Sequence, residues 1–286
     1  MNTHDNCLTN IIYLGPMSRA GCVLRGYTLF VYHLKGGVGK STLVTNIAGA
    51  LSQLGKRVLV LDMDPQCATS YMLGAAPVDI EHSVGGALMG LNPLATLVTP
   101  TKFPGIDILP GSDDLWALDL SLEQVPDGKD KLLSKVLQPV RESYDLVLVD
   151  SHNKLGWAEI NILMAADSVL IPIQCGVLPF ETLGALHKIL QQFEQTHNKR
   201  VPVLGYVITM FRRNANLVHW HTISKETERE LREKYGPLVL NQVIDYDENV
   251  AMVPKLQEPI EYYKEKAKAS VEFVDLTKEI LSRIQG

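Results

Sequence analysis

Short apolar runs recur along the chain and are separated by segments with helical spacing. The runs are rich in Val, Ile and Leu, and their apolar positions are consecutive rather than alternating. Strands buried on both faces have this pattern, which is typical of a parallel sheet. We predict strands at 28–34, 57–63, 107–110, 145–150, 168–173, 203–210 and 238–244.

Amphipathic segments between these runs predict helices. In one of them Val218, Ile223 and Leu231 lie close to helical spacing. Gly236 follows, and glycine favours helix ends. The alternation of strands and helices predicts a single doubly wound α/β domain at 27–286, with helices on both faces of a mostly parallel sheet. The predicted helices are 40–54, 157–165, 181–195, 217–235 and 268–284.

Composition places the chain among globular proteins with a full core. Apolar residues make up 46% of the 286 residues and charged residues 21%, which are ordinary fractions. The net charge of −5 argues against a strongly basic nucleic-acid binder but leaves a local basic patch open. No apolar run reaches the roughly 18 residues that span a bilayer, so we expect no membrane partner.

The cysteines indicate the cellular compartment. Cys7, Cys22, Cys67 and Cys175 are widely spaced and none forms a C-x-x-C pair, which argues against a disulfide framework or a zinc site. We therefore expect reduced thiols and a cytoplasmic protein. Residues 1–26 lack the features of a signal peptide, and we interpret them as an N-terminal extension of unknown role.

A predicted strand and a predicted helix flank a glycine-rich segment at 36–42. Glycines allow backbone N–H groups to turn inward, and the helix N-terminus adds its positive dipole at the same point. In such loops the lysine reaches the β- and γ-phosphates and the next hydroxyl holds Mg²⁺, which predicts these roles for Lys40 and Ser41. The usual G-x-x-x-x-G-K-[ST] pattern has a glycine where this chain has Leu34.

A second lysine, Lys35, lies five residues before Lys40. The string KGGVGKST at 35–42 resembles the deviant Walker A motif of the ParA/MinD family of ATPases. The first lysine of that motif reaches across a dimer interface to the partner's nucleotide, so the resemblance implies an ATP-dependent homodimer. A second cation would offset charge on the transferred phosphoryl group. The nucleotide-binding residues implied for this loop are Lys35, Gly36, Gly37, Val38, Gly39, Lys40, Ser41 and Thr42.

Two aspartates, Asp62 and Asp64, end the second predicted strand in the segment VLVLDMDPQ at 58–66. A bare pair of aspartates at a strand end is commonly a capping or turn feature. This segment, however, resembles the D-x-D-P-Q switch of ParA proteins, in which the aspartate before the proline helps to position the attacking water. The resemblance implies that Asp64 is catalytic, together with Lys35 and Lys40, and lies at the Mg²⁺ site.

The segment YDLVLVD at 144–150 resembles the Walker B strand of the same family. Its last residue, Asp150, would bind Mg²⁺ through a water. Family members usually continue as D-x-P-P-S-L-G, whereas this chain continues as SHNKLG at 151–156 and lacks both prolines. His152 has two interpretations, a general base or a histidine on a solvent-facing loop.

Two later segments extend the resemblance, which covers about residues 27 to 284. The segment at 203–217 is similar to a later family strand, and 244–260 aligns without gaps to the pattern I-P-R-N-V-R-L-S-E-A-P-x-x-x-x-P-V. In relatives these segments help to form the adenine pocket, which implies nucleotide contacts for Met210, Phe211 and Tyr246.

The resemblance implies a ParA-type ATPase that partitions or positions DNA or other cargo. ATP would close a dimer that binds non-specific DNA and associates with the nucleoid. A ParB-like or other cargo adaptor would stimulate hydrolysis and release the protein.

A DNA-binding surface must come from scattered basic residues. The arginines of the R-N-V-R pattern fall on Tyr246 and Asn249, and the segment is acidic, which repels a phosphate backbone. Each remaining candidate alone is commonly a solvated charge, but a dimer doubles any patch. The predicted DNA-binding residues are Arg212, Arg213, Lys264, Lys266 and Lys268.

Two other classes share these motifs. A MinD-like ATPase that cycles on membranes needs a basic amphipathic helix, whereas the segment at 270–286 contains Glu272, Asp275 and Glu279 and predicts a packed helix. Metal-cluster carriers of the same fold need paired interface cysteines, which Cys67 and Cys175 do not supply.

Overall fold

Seven strands form one sheet in the computed structural model, which describes residues 24–176, 179–213 and 218–286. Neighbouring strands are parallel except for the short edge strand β3, which runs antiparallel to β4. This confirms the predicted mostly parallel sheet. The order across the sheet is β3-β4-β2-β5-β1-β6-β7. The strands are β1 (Tyr27–Val31), β2 (Val58–Met63), β3 (Thr99–Pro100), β4 (Ile106–Leu109), β5 (Leu146–Ser151), β6 (Ser168–Gln174) and β7 (Val203–Thr209).

Helices cover both faces of the sheet, as predicted. The longer predicted helices form within about two residues of their expected bounds, and Trp157–Ala165 matches its prediction. Residue 217 lies outside the described residues, as do 1–23 with Cys7 and Cys22. The helices are α1 (Lys40–Gln53), α2 (Ala68–Met72), α3 (Val84–Leu88), α4 (Leu94–Leu97), α5 (Leu118–Glu123), α6 (Leu132–Arg141), α7 (Trp157–Ala165), α8 (Pro179–His197), α9 (Val218–Tyr235), α10 (Glu248–Ala251), α11 (Val253–Leu256), α12 (Ile260–Tyr263) and α13 (Lys268–Gln285).

The sheet separates two apolar cores because successive strand residues point to opposite faces. Leu29 and Val31 of β1 pack into the core that α1 and α13 cover. Phe30 belongs to the other core, with residues of α6, α7, α8 and α9. The helix α13 buries Phe273, Leu276 and Ile280 completely, which confirms the predicted packed helix.

The predicted strand at 238–244 is wrong. This segment begins in a 3₁₀ turn, Gly236–Leu238, and pairs along β7 and just beyond its end through isolated bridges at Val239 and Asp245 rather than through a continuous ladder. Between those bridges the backbone N–H groups of Asn241 and Gln242 donate to the Glu279 carboxylate on α13, at 2.9 and 3.0 Å. A backbone that gives its donors to a helix side chain cannot continue a strand ladder.

Apart from β4, which was predicted at 107–110, the elements between residues 68 and 141 were not predicted. The antiparallel strand β3 has only two residues, one of them Pro100, and proline is confined to sheet edges. The helices α2, α3, α4 and α5 have at most six residues each, too few turns for an apolar stripe to appear in the sequence.

The topology gathers the predicted motifs at one edge of the sheet. β1 lies between β5 and β6, and β2 pairs with the other side of β5. The loops that follow β1, β2, β5 and β7 therefore meet at the carboxyl ends of parallel strands, where open α/β sheets bind ligands. Within the described residues, no helix combines the length and apolarity needed to cross a bilayer.

Candidate functional site

The glycine-rich loop connects the end of β1 to the first residue of α1, Lys40. Gly37 and Gly39 have φ angles of 74° and 93°, in the left-handed region that favours glycine. A Cβ on Gly37 would meet nothing within 4 Å, and one on Gly39 would approach only the Met210 side chain. The loop therefore encloses open space above the N-terminus of α1, as a phosphate site requires.

The two lysines of the loop have opposite environments. Lys40 is 8% exposed, whereas Lys35 is exposed and makes no side-chain hydrogen bond or ion pair with any described residue. The backbone N–H of Lys35 donates to Nδ1 of His33 at 2.9 Å. Burial, reinforced by the charge of Lys40, lowers the pKa of His33 to about 4, so this ring stays neutral and can accept that bond. His33, which the motif analysis missed, thus shapes the loop.

Asp62 and Asp150 lie opposite each other on the paired strands β2 and β5. Both are fully buried. Asp62 has a structural partner because its Oδ2 accepts bonds from the backbone N and Oγ of Ser70, at 2.7 and 2.6 Å. Burial and then the charge of Asp150 raise the pKa of Asp62. Asp62 therefore fastens α2 to the end of β2.

Asp150 keeps one oxygen available. Its Oδ2 accepts a hydrogen bond from Thr69 Oγ1 at 2.7 Å, but its buried Oδ1 has no hydrogen-bond partner. Burial raises the pKa of Asp150, against the lowering effect of the hydroxyls of Ser41 and Thr69. An unpartnered carboxylate oxygen near a hydroxyl suits a hard cation that binds oxygen ligands. These residues therefore fit Mg²⁺, with Ser41 and Asp150 as the groups that would hold it.

Asp64 lies just beyond the end of β2 in the loop that leads to α2. It is 9% exposed, and its Oδ1 accepts the backbone N–H of Gln66 at 2.8 Å. Asp64 is close enough to Asp150 to raise the pKa of that carboxyl. The structure thus brings Lys40, Ser41, Asp64 and Asp150 to one place.

A cavity of about 160 Å³ lies beside the phosphate loop. Met210 and Tyr246 line it, as do Gly39, Thr42 and Phe273. Met210 has a φ of 54°, and the Oγ1 of the preceding Thr209 donates to the carbonyl of Val38 at 3.0 Å. This bond joins the end of β7 to the phosphate loop, so the predicted adenine segment and the phosphate segment meet here.

Phe211 does not line the same cavity as Met210 and Tyr246, the two other predicted adenine contacts. It is 3% exposed and lines a neighbouring cavity of about 520 Å³ rather than the cavity beside Gly39. Its backbone N–H donates to the carbonyl of Ile244 at 3.0 Å. Phe211 therefore supports the strand end that carries Met210.

The larger cavity also contains three of the predicted DNA-binding residues, Arg212, Arg213 and Lys268. Arg213 binds both oxygens of Asp245 at 2.7 and 2.8 Å, and Lys268 also binds that carboxylate. The guanidinium of Arg212 lies 4.1 Å from the ring centroid of Tyr246. These cations therefore already have partners within the chain.

Lys264 and Lys266 are exposed on the segment before α13. Lys264 donates to Oδ1 of Asn249 at 2.7 Å, a neutral partner that leaves the charge uncompensated. Within the described residues, these two lysines are therefore the members of the predicted basic set with neither a carboxylate nor an aromatic partner.

The interpretation of His152 as a solvent-facing loop residue is wrong. Its side chain is 14% exposed, and Nδ1 lies 2.9 Å from Oε1 of the fully buried Glu159. The ring also meets Trp116 edge-on, with centroids 5.8 Å apart. The hydrogen bond to Glu159 raises the pKa of His152. The ring is therefore held against α7 through Nδ1, between Glu159 and Trp116.

The two described cysteines do not form a metal site. Cys67 and Cys175 are both free and buried, and burial raises the pKa of each thiol to about 12. Across residues 24–176, 179–213 and 218–286, no group of three or more His, Cys, Asp or Glu residues is arranged to hold a metal ion.

Comparison with known proteins gives the site its context. A family model described as an AAA domain matches residues 26–203. The chain is 30% identical to the chromosome partitioning protein ParA of Caulobacter vibrioides, over 89% of this chain and 94% of that protein.

Two solved structures share the fold. Cobyrinic acid a,c-diamide synthase of Mycobacterium smegmatis, with bound ATP analog and magnesium, is 26% identical with a TM-score of 0.75, over 89% of this chain and 94% of that chain. The ATP complex of McdA from Cyanothece superposes with a TM-score of 0.79 at 21% identity, over 90% and 96% of the two chains.

Proposed function

This chain belongs to the family of ParA-type partition ATPases, and we propose that it hydrolyses ATP in a nucleotide-dependent homodimer that positions DNA or other cargo. In this proposal the ATP-bound dimer binds non-specific DNA on the nucleoid. A ParB-like or other cargo adaptor stimulates hydrolysis and thereby releases the dimer.

The observation that carries the proposal is the contrast between the two lysines of the phosphate loop. Lys40 is buried at the N-terminus of α1, whereas Lys35 is exposed and unpaired among the described residues. A lysine needed for its own subunit's phosphate would be expected to turn inward, as Lys40 does. The outward Lys35 supports a role at the nucleotide of a second subunit.

The remaining residues divide the chemistry. Lys40 and the loop N–H groups would bind the phosphates, and Met210 and Tyr246 would contact the base from the adjoining cavity. Ser41 and Asp150 would hold Mg²⁺, which neutralises phosphate charge when it is bound. Asp64 would orient the attacking water, and Lys35 of a second subunit would stabilise the developing charge.

The DNA-binding part of the proposal now depends mainly on Lys264 and Lys266. Arg213 and Lys268 are engaged with Asp245, and Arg212 is stacked on Tyr246. Exposed lysines from two subunits acting together give weak, salt-dependent attraction to a phosphate backbone.

The first experiment measures ATP binding by calorimetry and dimerisation by light scattering, in wild type and Lys40→Ala. The proposal expects wild type to bind ATP and to become a dimer when ATP is added. Lys40→Ala should neither bind ATP nor dimerise. Lys56→Ala is the matched control, because Lys56 contacts Asp145 at the other end of the sheet. A Lys40→Ala variant with the ATP affinity of wild type would overturn the nucleotide site.

The second experiment is a DNA-retardation titration at low and moderate salt. Binding should require ATP and weaken with salt, and Lys264→Glu with Lys266→Glu should abolish it. Lys278→Glu, an exposed lysine on α13, should have little effect. The proposed DNA surface would be refuted by DNA binding that does not depend on ATP. It would also be refuted if Lys278→Glu lost as much DNA binding as the double variant.

A further inference from the structure

A buried glutamate holds both ends of the loop that follows Asp150. Glu159, on the first turn of α7, is completely buried. Its Oε1 lies 2.9 Å from His152 Nδ1, and its Oε2 accepts the backbone N–H of Gly156 at 2.9 Å. One side chain therefore fixes the residues on either side of 153–155.

Contacts from a second element fix the same loop from outside. The Oδ1 of Asp119 accepts the backbone N–H of Ala158 at 3.0 Å. A Cβ on Gly156 would collide with the Asp119 carboxylate, so a larger residue there would displace Asp119 from Ala158. Trp116 closes the far side of the His152 ring. The loop lacks the family's prolines but is held by side chains instead.

The held loop carries Asn153 to the phosphate loop. A Cβ added to Gly36 would lie 3.4 Å from Nδ2 of Asn153, so the amide is in direct reach of the glycine between Lys35 and Gly37. Asn153 is exposed, and its side chain forms no hydrogen bond with any described residue. An amide N–H group is a suitable donor to a phosphate oxygen.

We propose that Asn153 is a further nucleotide-contacting residue, which donates from Nδ2 to the terminal phosphate of ATP, and that His152 and Glu159 are the residues that position it. This inference rests on the proposed ATP site. It follows that Asn153 distinguishes ATP from ADP, since ADP lacks the terminal phosphate.

The test compares the affinities of wild type and Asn153→Ala for a non-hydrolysable ATP analogue and for ADP, by calorimetry with Mg²⁺. Loss of a hydrogen bond to a charged group typically weakens binding about 10-fold or more. We expect that loss for the ATP analogue, with ADP affinity unchanged within about twofold. Asn153→Asp replaces the amide donor with a carboxylate, which is negatively charged like the phosphate. This variant should bind the ATP analogue more weakly still.

Positioning by His152 is tested by a double-mutant cycle. His152→Ala should weaken binding of the ATP analogue as Asn153→Ala does. The double variant should bind the analogue no more weakly than Asn153→Ala alone. His152→Gln, which keeps a donor for Glu159, should recover most of the loss. His82→Ala is the matched control, because His82 pairs with Asp79 on an exposed turn.

The outcomes separate the two proposals. Failure of wild type to bind either nucleotide would refute the proposed function itself. If wild type binds both and Asn153→Ala keeps its preference for the ATP analogue, Asn153 does not contact the terminal phosphate. If the effects of His152→Ala and Asn153→Ala add, His152 does not act through Asn153. Thermal melts of each variant show whether it folds.

Discussion

Asp62 and Asp150 face each other on paired strands, fully buried, yet only Asp62 has both oxygens occupied by hydrogen-bond donors from its own loop. The two aspartates are equivalent in position along the sheet but not in function. One holds the fold together, and the other offers a free oxygen to the site.

This difference predicts opposite effects of the same substitution. Asp150→Asn should remove the Mg²⁺ dependence of ATP-analogue binding, because an amide is a weaker ligand for a hard cation than a carboxylate. Asp62→Asn keeps an oxygen for Ser70 and should preserve that dependence. Calorimetry with and without Mg²⁺ checks both variants. Loss of the Mg²⁺ effect in Asp62→Asn alone would reverse the assignment.

Asp64→Ala should separate formation of the ATP-dependent dimer from ATP hydrolysis. If Asp64 orients water, the variant should still form the ATP-dependent dimer but hydrolyse ATP about 100-fold more slowly. Light scattering and phosphate release measure the two properties. Asp113→Ala, at an exposed residue of the neighbouring 3₁₀ turn, serves as the control. An equal loss of dimer and turnover would show that Asp64 is structural.

Lys35→Ala tests whether the site is shared between subunits. The variant should keep monomer nucleotide binding and lose hydrolysis by about 10³-fold, as when a trans cation is removed. Mixing it with Asp64→Ala should restore part of the activity, because one site of the heterodimer then has all its residues. Heterodimers that form without any such restoration would exclude a shared site.

Glu261 predicts a pH-dependent stability. It is buried, neither carboxylate oxygen has a hydrogen-bond partner, and burial raises its pKa well above 4.5. An acid with a raised folded-state pKa destabilises the fold as pH rises above the unfolded-state value. Glu261→Gln should therefore raise the melting temperature by about 4 °C at pH 8 and leave it unchanged at pH 4.

The matched control is Glu265→Gln, four residues further on and exposed. It should leave the melting temperature unaltered at both pH values. A gain for Glu261→Gln that is the same at pH 4 and pH 8 would mean that packing against α1, and not ionisation, limits stability at this position.

The strand-end motifs could be predicted because their signals are local. Lys40 and Asp64 follow short apolar strands and Asp150 lies near the end of one, and parallel topology brings the ends of such strands together. Each motif is complete within about ten residues, so periodicity and a recognisable loop suffice to locate it. The helix α7 was also predictable to the residue, because its apolar run and flanking glycine lie in one segment.

The contacts between distant side chains could not be predicted. No sequence spacing predicts that the Asn153 amide lies near Gly36, or that the backbone of Asn241 donates to Glu279. These pairs form only after the helices have packed. One signal was present in the sequence, however. Glu159 is the single charged residue in the apolar segment 157–165, and a charge at such a position usually has a buried partner.

The cavity beside the phosphate loop joins parts of the chain that are made at different times. Gly39 and Phe273 line the same cavity, although more than two hundred residues separate them in the sequence. During synthesis the phosphate loop emerges from the ribosome long before α13 exists, and non-local contacts form late. The cavity is therefore complete only after α13 has been synthesised and has packed, so high nucleotide affinity should arise only in the fully synthesised and folded chain.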